Sequence, residues 1–201
     1  MDDLFILSDN RPTRSDALRN RDLLLESARR LIAAHGADAL SMSAVAEAAG
    51  VGKGTLYRHF RDKTQLFEAL VDVDQRALQE NTLARLRAVP GQPADNLAWF
   101  LGEALGFVLR NLNLLAAEGV TRLSAGPSHP AHMWWLQTIR GLMSRLHPPM
   151  DVQYAAQVVY LLLDPCMVAY LRAQPGFDEV RLREGLLEAA GQLCGVRLLG
   201  R

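Results

Sequence analysis

The chain has 201 residues, 49% of them apolar, and its 22 basic side chains balance 22 acidic ones, so no partner follows from net charge. That length suits one medium domain or a small domain fused to a larger one. No apolar run reaches the roughly 18 residues of a membrane span, which excludes a membrane-spanning chain and leaves no membrane partner expected.

The first stretch, MDDLFILSDNRPTR, carries acids ahead of a very short apolar patch. It lacks the basic start and long apolar run of a signal peptide, so a cytoplasmic location is expected. Residues 1–18 are expected to form a flexible arm. Charge is unevenly spread: Arg11 to Gln65 holds ten basic and six acidic residues, and the only lysines, Lys53 and Lys63, fall there. Such an excess of four fits a nucleic-acid face, but a solvated helix surface has the same look.

Leu24, Ala28, Leu31 and Ile32 recur at helical spacing. They predict a first helix that starts between Ser15 and Asn20 and stops at Gly36, a natural residue just past a helix end. Ser41 can cap a second, short helix holding Val45, Ala46 and Ala49 and ending at Gly50. A third short helix is predicted from about Lys53 to His59. Asp62 can cap a fourth, long helix that carries Leu66, Phe67, Leu70 and Val71 on one face. Two short helices joined by a tight Gly50-Val51-Gly52 turn have the layout of a helix-turn-helix unit.

Beyond Pro90, Gly91 and Pro93 the composition shifts to long apolar helices. They are predicted over Ala94–Asn111, Leu114–Leu123, Pro130–Leu146, Val152–Ala173 and Asp178–Cys194, with Gly-Pro, Pro-Pro and Pro-Gly separators. No strand-like alternation occurs, so the chain reads as all-α. Cys166 and Cys194 lack C-x-x-C spacing and read as reduced thiols.

The stretch AGVGKGTLYRHF, residues 49–60, poses the functional question, because glycines beside lysine and threonine suggest a nucleotide phosphate loop. A Walker A loop needs Gly-x4-Gly-Lys followed by Ser or Thr, after a strand. Here Glu47 stands where the first glycine belongs, Gly54 follows Lys53, and the preceding SMSAVAEAA is helical. A dinucleotide G-x-G-x-x-G match fails as well, since Thr55 stands in the third glycine's place. The alternative of a helical nucleotide-dependent enzyme therefore has little to rest on.

A DNA reading accounts for each residue. Val51 can tuck between the short helices. Gly52 is an acceptable helix cap without a side-chain oxygen. Lys53 at the helix start can reach base edges or a phosphate, and Gly54 lets the backbone approach the duplex. Thr55 can touch a thymine methyl or hydrogen-bond a base edge. Leu56 and Phe60 share an inward face. Tyr57, Arg58 and His59 supply phosphate donors, and Lys63 sits in the first turn of the next helix, a further phosphate site. Ser41 and Ser43 in the second helix's first turn join this candidate set. Arg11, Arg14, Arg19 and Arg21 read either as a minor-groove arm or as a solvated tail.

The run LSMSAVAEAAGVGKGTLYRHFRDKTQLFEAL closely resembles the DNA-binding region of TetR-family (tetracycline-repressor-like) regulators. The resemblance rests on the small-residue second helix, the Ala-Gly-Val turn, Lys53-Gly54-Thr55-Leu56-Tyr57, His59-Phe60 and Lys63. With RDLLLESARRLIAAHG before it, the likeness covers about residues 19–70. It implies an N-terminal three-helix DNA-binding domain, taken as residues 19–64. A long helix would join it to a C-terminal bundle, residues 65–201, that dimerises and binds a small effector. It further implies that Lys53, Thr55 and Tyr57 lie on the recognition helix and that Tyr57, His59 and Lys63 clamp phosphates. Gly52 departs from the family, which often has Ser or Thr there.

In the C-terminal half, Val158, Val159, Leu161, Leu162 and Leu163 make a helix apolar nearly all round, which predicts burial on several sides. Leu182, Leu186, Ala189, Ala190 and Leu193 give the last helix an apolar stripe. The last two helices of two subunits could pack as a four-helix interface, and a two-fold dimer would read a palindromic operator. Trp99, Phe100, Phe107, Trp134, Trp135, Met143 and Tyr160 read as effector-pocket walls or as ordinary core aromatics. Asp164, before Pro165 within an apolar helix, needs a partner, either in a pocket or on an arginine across the dimer. His129, His132 and His147 have no acidic or cysteine ligand close by, so no metal is expected. No cofactor is expected, and no catalytic constellation stands out. The expected function is a ligand-responsive homodimeric repressor rather than an enzyme; a regulator answering to a protein partner is the alternative.

Overall fold

The computed structural model describes residues 14–115 and 130–198, apart from the side chain of Arg14. All regular structure in these residues is α-helical, so the chain is all-α. It divides into two compact units, one ending at Leu66 and the other beginning at Phe67. The division falls inside one helix.

The first unit contains α1 (Arg14–His35), α2 (Met42–Ala48), α3 (Lys53–His59) and the start of α4 (Lys63–Ala88). α1, α2 and α3 pack on one another in all three pairings. Leu24 and Ala28 of α1, Val45 and Ala46 of α2, and Leu56 of α3 are buried where they meet. The turn after α2 has a definite chemistry. Gly50 takes φ +66°, a left-handed conformation that costs other residues about 1–2 kcal/mol. Its N–H reaches Glu47 O at 3.0 Å while Val51 N–H reaches Ala46 O at 3.0 Å. This paired arrangement satisfies two carbonyls at the end of α2 and turns the chain sharply into α3.

The second unit holds the rest of α4 with α5 (Pro93–Arg110), α6 (Leu112–Leu115), α7 (Pro130–Ser144), α8 (Val152–Leu161), α9 (Pro165–Arg172) and α10 (Glu179–Cys194). α5 is its hub, packed against α6, α7, α9 and α10. Accordingly its Leu97, Phe100, Leu101, Ala104, Phe107 and Val108 are almost wholly buried. Asn96, also buried, ties the turn before α5: its Nδ2 donates to Val89 O at 2.6 Å, and Arg85 Nε donates to its Oδ1 at 3.1 Å. The predicted helix over Leu114–Leu123 is seen only as the short α6 ending at Leu115; its remainder lies outside the described residues.

Three expectations need correction. The arm expected over residues 1–18 is helical from Arg14 onward, where α1 begins. The helix predicted over Val152–Ala173 is two helices, α8 and α9, bent by 49°. The residue before a proline is pushed out of helical geometry, and Asp164 accordingly sits at ψ 126°. Its carboxylate then accepts from Cys166 N at 2.9 Å and Met167 N at 3.0 Å, capping α9. The partner that Asp164 requires is thus found in its own next turn. Burial on several sides also fails for α8: Leu161 is 62% exposed and Tyr154 65% exposed. Among the described residues no single helix is long and apolar enough to cross a membrane.

Candidate nucleic-acid interface

The functional face is built on α3. Leu56 and Phe60 are 0% and 1% exposed, and that inward anchoring turns the other side of a seven-residue helix outward. Lys53, Gly54, Tyr57 and Arg58 are exposed, forming two i, i+4 pairs on one face, whereas Thr55 and His59 are half-buried at its margins. Arg58 Nη2 donates to Thr55 Oγ1 at 3.1 Å, so these two side chains present a joined polar edge. Gly52 is the N-cap and makes no side-chain cap bond. By contrast Ser41 caps α2, accepting from Ala44 N at 3.1 Å, with Ser43 exposed two residues along.

The neighbouring helix start is also fixed. Asp62 Oδ1 accepts from Gln65 N at 2.8 Å, and Gln65 Oε1 accepts from Arg61 N at 2.8 Å, so two side chains tie the entry of α4 to its first turn. Lys63 Nζ donates to Asp38 O at 3.0 Å. That bond holds the ammonium against the α1–α2 connection. His59 lies 6.2 Å from the Phe60 ring, over which Arg21 also sits at 5.5 Å. Desolvation first, then the charges of Arg21 and Arg58, push its pKa below 6.5. A neutral imidazole can still donate one hydrogen bond to a phosphate, but it brings no charge.

What this arrangement can do follows from its chemistry. A small helix with a glycine-lined, basic outer face and no carboxylate on that face is shaped to lie against a phosphate backbone and reach base edges.

Sequence comparison bears on this segment directly. Residues 24–70 match the family described as bacterial regulatory proteins, tetR family. This segment is thus similar to the N-terminal domain of that family. The HTH-type transcriptional regulator AcrR of Shigella flexneri is 34% identical over 95 residues, 47% of this chain and 44% of that protein. The chain thus matches less than half the length of that curated relative. Solved structures extend the likeness in fold. A TetR-family transcriptional regulator from Pectobacterium atrosepticum gives a TM-score of 0.69 at 20% identity, covering 94% of this chain and all of that one. NalD of Pseudomonas aeruginosa gives 0.59 at 24% identity, covering 89% and 97%. The TetR-family fold, an N-terminal helix-turn-helix unit followed by a helical second unit, therefore spans the chain.

In the second unit the candidate pocket residues separate into two groups. Phe100, Phe107, Trp134, Trp135 and Tyr160 form one edge-to-face cluster, with ring centroids 5.3–6.4 Å apart. Trp99 lies elsewhere, beneath Arg85 at 5.6 Å and in an open groove beside Arg183 and Leu187 of α10. Met143 is fully buried, and Asp164 is committed to its cap. Tyr160 is held protonated, its pKa pushed up to about 12 by burial and then by the charge of Asp164.

Sequence reasoning missed Gln75. It is only 8% exposed, and its Oε1 accepts from Trp135 Nε1 at 2.8 Å. The available signal was spacing: Val71, Gln75, Leu78 and Thr82 fall at i, i+4, i+7 and i+11 along α4, so a polar amide occupies an inward position. His132, considered in the sequence only as a metal ligand, instead stacks edge-on against Tyr160 at 4.5 Å. No cluster of metal-ligating side chains occurs among the described residues; His129 lies outside them.

Proposed function

We propose that the protein is a homodimeric, ligand-responsive transcriptional repressor that binds a palindromic operator through α3 and is released from it by a small effector. The observation that carries this reading is the outward face of α3, where Lys53, Gly54, Tyr57 and Arg58 stand exposed above the buried Leu56 and Phe60. Residues 19–64 would serve as the DNA-binding part and residues 65–201 as the effector and dimer part. Ser41, Ser43, Gly52, Lys53, Gly54, Thr55, Tyr57, Arg58, His59 and Lys63 are assigned to DNA. No residue is assigned to catalysis.

Dimerisation is supported by the apolar side chains that one copy leaves uncovered on α8 and α9: Tyr154, Leu161, Leu162, Met167 and Tyr170. A second copy related by a two-fold axis covers the same patch on both, and sets two α3 helices against the halves of a palindrome. The last helices, α8–α9 and α10, are assigned to this interface. Repression is supported by the similar fold of NalD, described as the secondary repressor of the MexAB-OprM efflux pump. An effector that prefers one spacing of the two DNA-reading heads weakens operator affinity by its differential affinity for the two states.

The test is binding to palindromic sequences from the promoters beside the protein's own gene, measured across a salt series. A specific complex whose affinity falls steeply with salt is expected. Replacing Tyr57 or Lys63 should weaken all sequences alike, and replacing Lys53 or Thr55 should alter preference among them. The absence of any specific complex at any salt refutes the proposal.

A further inference from the structure

Among the described residues of the second unit, two buried side-chain atoms make no hydrogen bond: Gln75 Nε2 and His132 Nδ1. The identity of the first is fixed by its neighbour. An indole N–H can only donate, so the bond from Trp135 Nε1 forces the Gln75 carbonyl toward Trp135. The orphan is therefore the amide NH2, a donor, and burying a donor unpaired is costly. His132 stands one helical turn before Trp135 on α7. Its ring packs on Tyr160, which in turn lies 6.4 Å from Trp135, so both orphans border one aromatic cluster. His132 is only half-buried, with Nδ1 turned away from solvent, which places it between the surface and the interior.

Unmet polar atoms in an apolar, aromatic surround are the usual makings of a ligand site. We propose that Gln75 and His132 anchor a compact, uncharged aromatic ligand, with a carbonyl-type acceptor on Gln75 Nε2 and a hydroxyl on His132 Nδ1. This rests on the effector reading above and names its chemical class. An acceptor is required because Gln75 offers only N–H. The ligand is uncharged because the described residues that these contacts join, Gln75, Phe100, Phe107, His132, Trp135 and Tyr160, include no fixed charge to compensate a buried one. Asp164, whose field reaches Tyr160, is already spent on the cap of α9. The flat apolar body follows from the edge-to-face rings it must join.

Acetophenone and ethylbenzene are near-isosteric and differ by one carbonyl oxygen, which makes them matched probes for Gln75. Calorimetric titration of the full chain should give acetophenone about fivefold tighter binding than ethylbenzene, the worth of one net hydrogen bond. 4′-Hydroxyacetophenone should bind tighter again, and His132→Phe should remove only that further gain. Gln75→Met combined with Trp135→Phe deletes both donors without leaving a new orphan, and should erase the preference for the carbonyl. Equal binding of the matched pair, no binding by any of the three compounds, or a carbonyl preference that survives the double variant overturns the inference. The wild-type comparison decides even where the double variant does not fold. Operator binding run in parallel separates the two readings: a chain that binds its operator without the carbonyl preference refutes this inference alone, and loss of all operator binding refutes the regulator.

Discussion

Replacing Gly52 with serine tests how α3 begins. Gly52 holds φ −67° and ψ 146°, close to the ψ of 147° at Ser41, where the hydroxyl does cap α2. That conformation is open to any L-residue, and a Cβ built there meets nothing within 4 Å. Its carbonyl already accepts from Thr55 N at 2.9 Å and Leu56 N at 3.2 Å, so a serine Oγ would serve the amides of Gly54 or Thr55. The cap itself is worth a few tenths of a kcal/mol over glycine. Removing glycine's extra freedom in the unfolded chain adds about 0.4–1 kcal/mol. The sum is about 1 kcal/mol. It should raise the melting midpoint by about 2–4 °C if the chain melts as one unit, or about 4–8 °C if the first unit melts by itself. Thermal denaturation measures the total, and amide exchange of Gly54, Thr55 and Leu56 locates it. A midpoint that stays put or falls, with exchange at α3 unchanged, would falsify the cap argument.

Other outcomes follow from single observations. Gly50→Ala forces a side chain onto φ +66° and should cost about 1–2 kcal/mol, read as a lower urea midpoint; an unchanged midpoint means the turn relaxes. Asp164→Ala leaves the first amides of α9 unserved and should cost about 1 kcal/mol, with faster exchange at Cys166 and Met167; protection unchanged there contradicts the cap. The folded-state pKa of His59 lies below 6.5, so the unfolded chain takes up the proton first as pH falls. Its contribution to stability is complete well above pH 6.5 and declines as pH drops from there to the folded-state value. His59→Gln should flatten that part of the midpoint-versus-pH curve, and an unaltered slope assigns it to other groups.

Much of the first unit was legible because its signals are local. Ser41 and Asp62 each bond an amide three residues on, and a left-handed Gly50 needs only its own neighbours to end α2. The i, i+4 pairing of Leu56 with Phe60 sets which face of α3 looks out, so the candidate DNA face was readable residue by residue. Its electrostatic detail was not. The lowered pKa of His59 depends on Arg21 as well as its neighbour Arg58, and Lys63 is engaged by Asp38, 25 positions earlier. Neither sequence separation announces the meeting.

In the second unit the sequence by itself determined helical periodicity and the inward stripe of α10. Tertiary structure decided what those helices do with their polar and surplus apolar groups. Hydropathy assigned α8 to the interior, but in one chain only one side of that helix meets α7 and α10, so Tyr154 and Leu161 remain outside. Asp164 had a partner as soon as the chain bent, because the carboxylate reaches the very amides that the bend exposes. The bond from Trp135 to Gln75 spans 60 positions and arises only when tertiary packing brings the two side chains together. Periodicity marks which residues face inward; it carries no information about which inward residue of another helix they will meet. That choice belongs to packing, and it is packing that leaves Gln75 Nε2 and His132 Nδ1 buried with their hydrogen bonds unmade.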